Sequence, residues 1–578
     1  MAVTPASSRG RTWSSLHCFL YWRPEHTDTF LTATLTPLME ALRTSGRIEE
    51  WFFIRYAENG PHLRIRALGA DPATTEELHE HLTEAVRAAP YPIGDQVEQA
   101  YRRTAGDPEA LRGHGEVRET AYEPETERYG GAAALPVAEE VFCQSSRIAA
   151  AAVACTPQHG QRLAAATDFV LATALALDLD PLDTVRWLRR GVIAWRGYSE
   201  STSLAPTTVQ GSALDAAATQ SAAVVRRWHD IHSSSASGTR LRDQWGACVK
   251  AARSRLEVDD AVSRERWLQV WSSQLHMQLN RMGVLPDEER SLYWFIASSL
   301  LAPGGTTDFF ADHPRAVDRC YIDASNYAPS RMQWQQPRDL PRVEKQTQRK
   351  PFVGSPVALT AGESPSMPLG EAMTRRRCAQ GDLGGSTNAE DLGNLLWSAH
   401  AGHAAPDTRG YQPRPYPSAG AKYVARLRLI ARDVAGLSPG MYELEPATRT
   451  LLPIGAAPTA DELAAASMWF RRENASAPYV DVSALPAMVG LHVELGALRE
   501  RYGLRALRFA FLEAGHLAQN LALTAAATGL SLGVVGAFYD DIAHELFMLD
   551  GIDDVLAYLL PVGQLRSGVT GVVGRADR

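Results

Sequence analysis

The chain is poor in cysteine, with six thiols in 578 residues (Cys18, Cys143, Cys155, Cys248, Cys320 and Cys378) and no C-x-x-C pair among them. That scatter excludes a zinc ribbon, an iron–sulfur cluster or a redox dithiol built from neighbouring cysteines, and no metal site is expected. The thiols read as reduced and structural, as in a cytoplasm. Long hydrophobic runs are also missing. The opening MAVTPASSRGRT is polar, and no uninterrupted apolar stretch of about 18 residues follows, so neither a secretory signal nor a membrane span is expected and the location read is cytoplasmic. Positive charge is not in excess: 58 Lys and Arg stand against 66 Asp and Glu, a net charge of -8, which gives no electrostatic reason to expect a nucleic-acid partner. No repeat of 20–50 residues is visible, which sets aside a solenoid.

What is present is length and a globular composition, 45% hydrophobic and 21% charged, which implies two or three separate cores. The segments HCFLYW, EWFFIRY and HLRIRAL read as strands around a helical FLTATLTPLMEALRTS. Ala- and Leu-rich amphipathic patterns dominate from about residue 136 to 330, broken by a loop-like HSSSASGTR. QQPRDLPRVEKQTQRKP, rich in proline and charge, reads as an interdomain linker. Beyond it helices and strands alternate again, with Gly529 as a helix stop before SLGVVGAF. The expected organisation is α+β with two domains: a disordered start (1–12), a first domain with a helical second half (13–334), a linker (335–352) and a second domain (353–578).

In WFFIRYAENGPHLRIR a turn joins two alternating strands, so Arg64 and Arg66 project from one strand face. Two guanidinium forks side by side form a carboxylate receptor, although the same spacing also suits a solvated face with surface ion pairs. Glu125 and Arg128 stand three residues apart in AYEPETERYGG, and His276 precedes Arg281 in LHMQLNRMG. A lone histidine beside apolar residues is more often a satisfied structural residue than a base.

Together the HLRIR strand, Y-E-x-E-x-x-R-Y-G-G at Tyr122 to Gly131, EEVFCQSS and HMQLNR resemble the small domain of lantibiotic dehydratases and related thiopeptide-type proteins, from Trp13 to about residue 300. The resemblance implies elimination of glutamate from glutamylated Ser or Thr, giving dehydroalanine or dehydrobutyrine. His276 would be the proton handler, Arg66 and Arg128 would hold the glutamyl group and the developing charge, and Arg64 and Glu125 would orient them. It also implies a separate enzyme that glutamylates the peptide from tRNA. Relatives of this domain that perform a cycloaddition, or only bind peptide, supply the alternative: a noncatalytic or cycloaddition-type first domain.

In the second domain MTRRRCAQ places Arg375, Arg376 and Arg377 in succession, which by itself is more often a solvated surface run. PYPSAGAKY gives a turn of small residues, and Glu513, His516, Gln519 and Asn520 stud an Ala-rich helix whose buried polar groups need partners. With LLWSAHAG, GLSPGMYEL, ERYGLRALRFAFLEAGHLAQN, GLSLGVVGAF and LPVG, these motifs resemble the nitroreductase superfamily, in its branch of FMN-dependent dehydrogenases that oxidise thiazolines and oxazolines on peptides. The resemblance implies FMN held by Arg375, Arg376, Arg377, Ser418, Ala419 and Gly420, with Gly533, Val534, Val535 and Gly536 beside the isoalloxazine, where a backbone N–H can meet N5. It also implies a homodimer. One departure stands out. Where that branch carries Lys-Tyr, this chain has Arg501 and Tyr502, and a permanently charged guanidinium cannot act as a base. Proton transfer then shifts toward Tyr502, or Arg501 stabilises anionic charge, and a reductive role for the flavin stays open.

The union of the two domains resembles the bifunctional enzymes of lactazole-type thiopeptide pathways. It implies a ribosomal precursor peptide, leader plus modified core, as substrate, and a cyclodehydratase upstream.

Overall fold

The computed structural model describes residues 12–94, 111–195, 206–233, 240–256, 263–301, 317–326, 354–360, 365–401, 413–471 and 479–565. The expected disordered start (all but Thr12), the linker at 335–352 and most of HSSSASGTR lie outside them. The chain divides into two compact units, Met1–Gly191 with Ser212–Ala302, and Val192–Gly211 with Pro303–Arg578.

The first unit begins with a four-stranded antiparallel sheet of β1 (Trp13–Phe19), β2 (Glu50–Tyr56), β3 (His62–Leu68) and β4 (Val117–Glu119), in the order β2-β3-β1-β4. Helices α1 (Pro24–Phe30), α2 (Thr36–Thr44) and α3 (Pro72–Ala88) accompany it. Period-two alternation decides what each face does. Leu63, Ile65 and Ala67 of β3 join Leu16, Cys18, Trp51 and Phe53 in a core with Met39, Leu42, Leu78 and Leu82 of α2 and α3. His62, Arg64 and Arg66 are left on the opposite face. The start of α3 is capped by Asp71, whose Oδ1 accepts the Thr74 N–H at 2.7 Å.

Helices α4 (Leu135–Cys155), α5 (His159–Ala176), α6 (Pro181–Trp195), α7 (Pro206–Ser233), α8 (Leu241–Leu256), α9 (Arg264–Arg281) and α10 (Pro286–Leu301) follow, the end of α6 from Val192 and the start of α7 to Gly211 grouping with the second unit. Side chains of α4 and α9 seal the outer edge of β2. Ser146 Oγ accepts the Phe53 N–H at 3.1 Å, Asn280 bonds both the N–H and C=O of Arg55, and Arg281 Nε donates to Phe53 O at 2.8 Å. An edge that would otherwise expose unpaired backbone groups is thereby closed, and α9 is held at a fixed position against the sheet.

The second unit contains α11 (Val317–Ala324), α12 (Leu369–Arg375), α13 (Ala389–His400), α14 (Ala460–Ala465), α15 (Gly496–Tyr502), α16 (Ala506–Thr528) and α17 (Asp540–Leu546). Its strands are β5 (Val357–Ala358), β6 (Gly381–Asp382), β7 (Thr387–Asn388), β8 (Ala425–Ala431), β9 (Val434–Ala435), β10 (Gly440–Glu445), β11 (Thr450–Gly455), β12 (Val480–Asp481), β13 (Ala487–Glu494), β14 (Ser531–Leu532) and β15 (Asp554–Gly563). Seven form one sheet, β14-β15-β13-β8-β10-β11-β5, and two short parallel pairs stand apart. Both faces of the large sheet are covered. Leu427, Leu429, Val489 and Leu491 pack with α13 and α16, while Ile430, Met441 and Met488 pack with Leu463 of α14 and Leu546 of α17.

Two sequence expectations change. The segment Val317–Ala324, assigned above to the first domain, groups with the second unit. Tyr321 Oη donates to Leu504 O at 3.2 Å, and Arg505 and Arg508 donate to the carbonyls of Ser325 and Ile322 at the helix end, a favourable place for cations. SLGVVGAF is strand only over Ser531–Leu532, because the following residues bond to β15 at isolated points. Gly529 does end α16, in the left-handed conformation at φ 78°.

Candidate active sites

In the first unit the register places Arg66 opposite Ser15 of β1 and Phe52 of β2, and Arg64 opposite His17 and Ile54; His17 lies opposite Arg118 of β4. Five basic side chains therefore share one sheet face. Their crowding and burial push the histidines toward neutrality: burial first, then the neighbouring His62 and arginines, lowers His17 to about 3, and burial lowers His62 to about 4. The two rings stack with centroids 4.8 Å apart.

The two arginines differ. Arg64 pairs with Glu58 at 2.9 Å and lies over the Tyr56 ring. Arg66 is only 8% exposed, has no carboxylate partner among the described residues, and leaves its buried Nε without a hydrogen bond. Its guanidinium lies 4.5 Å from the Tyr122 centroid and 5.2 Å from that of Phe52, and Trp13 packs against both rings. Aromatic faces attract the cation but do not neutralise it, and burial lowers its pKa.

Arg128 reaches from a turn at Thr126–Tyr129 to two partners, the Glu125 carboxylate at 2.8 Å and Ser273 Oγ at 3.2 Å. Ser273 stands one turn before His276 on α9, so the Glu125–Arg128 pair is tied to the helix that carries the histidine. His276 Nδ1 contacts Glu289 Oε2 at 2.8 Å, and Tyr293 Oη donates to the other carboxylate oxygen at 2.6 Å. Glu289 is buried, and a carboxylate on Nδ1 fixes the orientation of the His276 ring. Sequence reading missed Glu289 and Tyr293, which lie on the next helix with no local motif, and Tyr122 and Phe52, which look like ordinary core aromatics.

In the second unit Cys378 ties two predicted segments together: the Val534 N–H donates to its Sγ at 3.3 Å, and the Ala379 N–H donates to Leu532 O at 3.0 Å. Arg375, Arg376 and Arg377 are thereby brought near Gly533–Gly536. Among the described residues one acid, Glu371, is paired with these three cations, through Arg375; Arg377 is turned back onto the carbonyls of Thr374 and Arg376. The N–H groups of Gly533, Val534 and Val535 are already committed, to Pro561 O, Cys378 Sγ and Leu559 O. Gly536 is the exposed member of the run.

Ser418, Ala419 and Gly420 form a tight turn in which Ser418 Oγ accepts the Tyr423 N–H at 2.7 Å. Arg501 and Tyr502 close over this turn, and a Cβ built on Gly420 would lie 2.5 Å from the Tyr502 hydroxyl. Glu513 anchors the start of β8, accepting the Ala425 N–H at 2.9 Å; burial raises its pKa, against the opposing effect of the Ala425 N–H, Ser418 and the Arg414 charge. Asn520 donates to Pro415 O at 2.8 Å. Among the described residues no group of three His, Cys, Asp or Glu side chains could hold a metal ion, and no helix is long and apolar enough to cross a membrane.

Residues 13–300 match the family described as lantibiotic biosynthesis dehydratase C-term, and residues 386–564 match the nitroreductase family. A curated protein of Methanocaldococcus jannaschii, described as a nitroreductase, is 28% identical over 196 residues, 34% of this chain and 90% of its own length. Among solved structures, the pyridine synthase TbtD from thiomuracin biosynthesis is similar at 17% identity and a TM-score of 0.40, over 50% of this chain and 97% of that one. The tRNA-dependent lantibiotic dehydratase MibB of Microbispora is similar at 20% identity and a TM-score of 0.30, over 52% of this chain and 28% of that one. Residues 13–300 thus form a lantibiotic dehydratase C-terminal domain and residues 386–564 a nitroreductase-family domain, so the chain is a fusion enzyme with a dehydratase-like part and an oxidoreductase-type part.

Proposed function

We propose that this chain tailors a ribosomally made thiopeptide precursor in two ways, eliminating glutamate from glutamylated Ser or Thr at the first site and oxidising thiazolines or oxazolines with FMN at the second. The observation that carries the first half is Arg66, a buried guanidinium without a carboxylate partner among the described residues. Keeping such a cation out of water is costly unless a ligand supplies the counter-charge, and a departing glutamate carboxylate does so. In the elimination His276 takes the proton from Cα, the C–H electrons form the Cα=Cβ bond, and the Cβ–O bond breaks to release glutamate. Glu289 stabilises the imidazolium that forms, Arg128 and Arg66 take the developing negative charge, and Arg64 and Glu125 orient them.

For the second half, three cations against one acid suit a dianionic phosphate, and Gly536 offers exposed backbone beside them, so the residues present fit FMN. Arg375, Arg376 and Arg377 would hold the phosphate, Ser418, Ala419 and Gly420 would supply a backbone surface for the flat ring, and Gly533–Gly536 would flank it. FMN, when bound, supplies the hydride acceptor. Tyr502 would handle the ring proton, or Arg501 would hold the negative charge that develops. Exposed Leu369, Met373, Leu504, Phe511 and Leu512 support a homodimer through this domain. The peptide would arrive already glutamylated by a tRNA-dependent enzyme and cyclised by a cyclodehydratase.

The test is mass spectrometry of a glutamylated, azoline-containing precursor peptide incubated with the protein and FMN. Glutamate loss and a two-dalton oxidation are both expected, with only the first abolished in His276→Ala. Oxidation without glutamate loss in the unaltered protein would favour a noncatalytic or cycloaddition-type first domain.

A further inference from the structure

The turn at Ser418–Tyr423 has an unusual backbone: Gly420, Ala421 and Tyr423 all lie in the left-handed region, at φ 59°, 55° and 49°. Two of these three residues carry side chains, so the conformation alone does not demand glycine at position 420. Space does. The missing Cβ would lie 2.5 Å from the Tyr502 hydroxyl oxygen and 3.7 Å from the Arg501 guanidinium carbon. The first separation is far inside van der Waals contact, so any side chain at 420 would push the phenol back by about 1 Å.

Tyr502 has little freedom to yield. Its ring meets Phe509 edge-on at 5.1 Å, the Arg501 guanidinium lies 5.5 Å from its centroid, and it ends α15 immediately before Gly503 at φ 53°. The turn is braced as well: Ser418 Oγ holds the Tyr423 N–H, Tyr423 Oη accepts the Arg414 N–H at 3.1 Å, and the Arg414 guanidinium lies 4.8 Å from the Tyr423 ring. Two segments 82 positions apart in sequence therefore meet where Gly420 carries a hydrogen instead of a methyl group.

The geometry points to Gly420 as a positioning residue for the Tyr502 hydroxyl: its bare Cα sets how closely the phenol approaches the Ser418–Gly420 turn, and so where the oxidation's proton acceptor sits. This rests on the reading of Tyr502 as the proton-handling group at the second site. It assigns Gly420 a task separate from offering backbone to the flavin.

The test is a double-mutant cycle on the full-length protein loaded with FMN, using Gly420→Ala, Tyr502→Phe and the double variant. Three readouts are taken: thermal midpoint, bound FMN per chain, and kcat and KM for azoline oxidation. Removing the hydroxyl leaves the new methyl room, while any backbone cost of alanine at φ 59° persists in both backgrounds, so the cycle separates clash from strain. The expected result is a loss of about 100-fold in kcat for Gly420→Ala, with FMN content and KM retained. In the Tyr502→Phe background the same substitution should change kcat less than about twofold, and the stability effects should be non-additive. Additive stability effects, or loss of FMN in Gly420→Ala, would overturn the positioning role. A coupled stability cycle in which Tyr502→Phe retains full kcat would instead sink the reading of Tyr502 itself, and with it any catalytic purpose for the fit.

Discussion

The two sites handle positive charge in opposite ways. At the first, Arg66 is buried against Phe52 and Tyr122 with no carboxylate in direct contact among the described residues, Glu125 acting on it only from a distance, and the neighbouring His17 and His62 are pressed toward neutrality. At the second, Arg375 and Arg377 stand in water beside one acid. A buried cation is preorganised, since its interactions are strong and its solvation is surrendered during folding rather than during the reaction. An exposed pair of cations would gain its order from a bound ligand. On the proposed reading, the first site carries its charge in place before substrate arrives, whereas the second would be ordered by the anion it binds.

The sharpest way to break that comparison is to remove the buried cation. Arg66→Met should stabilise the first domain by about 1–4 kcal/mol while abolishing elimination, because a buried charge without a partner costs more than an apolar side chain of similar volume. Arg376→Ala should leave stability within about 0.5 kcal/mol of the unaltered protein. Thermal denaturation of both variants checks the pair, and destabilisation by Arg66→Met would mean that its aromatic contacts outweigh its desolvation.

Glu289→Gln should slow elimination by about 10- to 100-fold with little change in KM, since it leaves the His276 ring in place but weakens support for its charged form. Single-turnover glutamate release measures this. Arg376→Ala or Arg377→Ala should weaken FMN binding by about tenfold or more, the worth of one charge-assisted hydrogen bond, as read by fluorescence titration.

A smaller effect is expected with pH. His17 and His62 have folded pKa values near 3 and 4, below the ordinary 6.5, so the unfolded chain binds more protons between those limits. Their contribution to stability is therefore complete above about pH 6.5 and is lost as pH falls toward 4. His17→Gln should flatten that decline in a series of denaturation curves. The smallest change is Asp71→Ala at the cap of α3, about 1 kcal/mol of stability with elimination unaltered.

Much of this was legible in the sequence. The alternation in HLRIRAL places Arg64 and Arg66 on one strand face, and Gly529 marks the end of α16, because both follow from local backbone periodicity. Domain type was readable from motifs spread along the chain, as the two family matches show. What could not be read depends on tertiary register. Nothing near His276 announces Glu289 thirteen residues on, and the inequality of Arg64 and Arg66 arises from which neighbours fold over each. Gly420 beside Tyr502 is of the same kind: the turn chemistry is local, but the reason for the missing side chain lies 82 positions away.

The central claim is that Arg66 is the carboxylate receptor of a first site that works independently of the second. It is tested most directly by single-turnover kinetics of Arg66→Ala with a glutamylated, azoline-containing peptide and FMN, following both products by mass. The account predicts glutamate release slowed by at least about 100-fold with azoline oxidation at its original rate. Undiminished glutamate release, or equal loss of both activities in a folded variant, would contradict it.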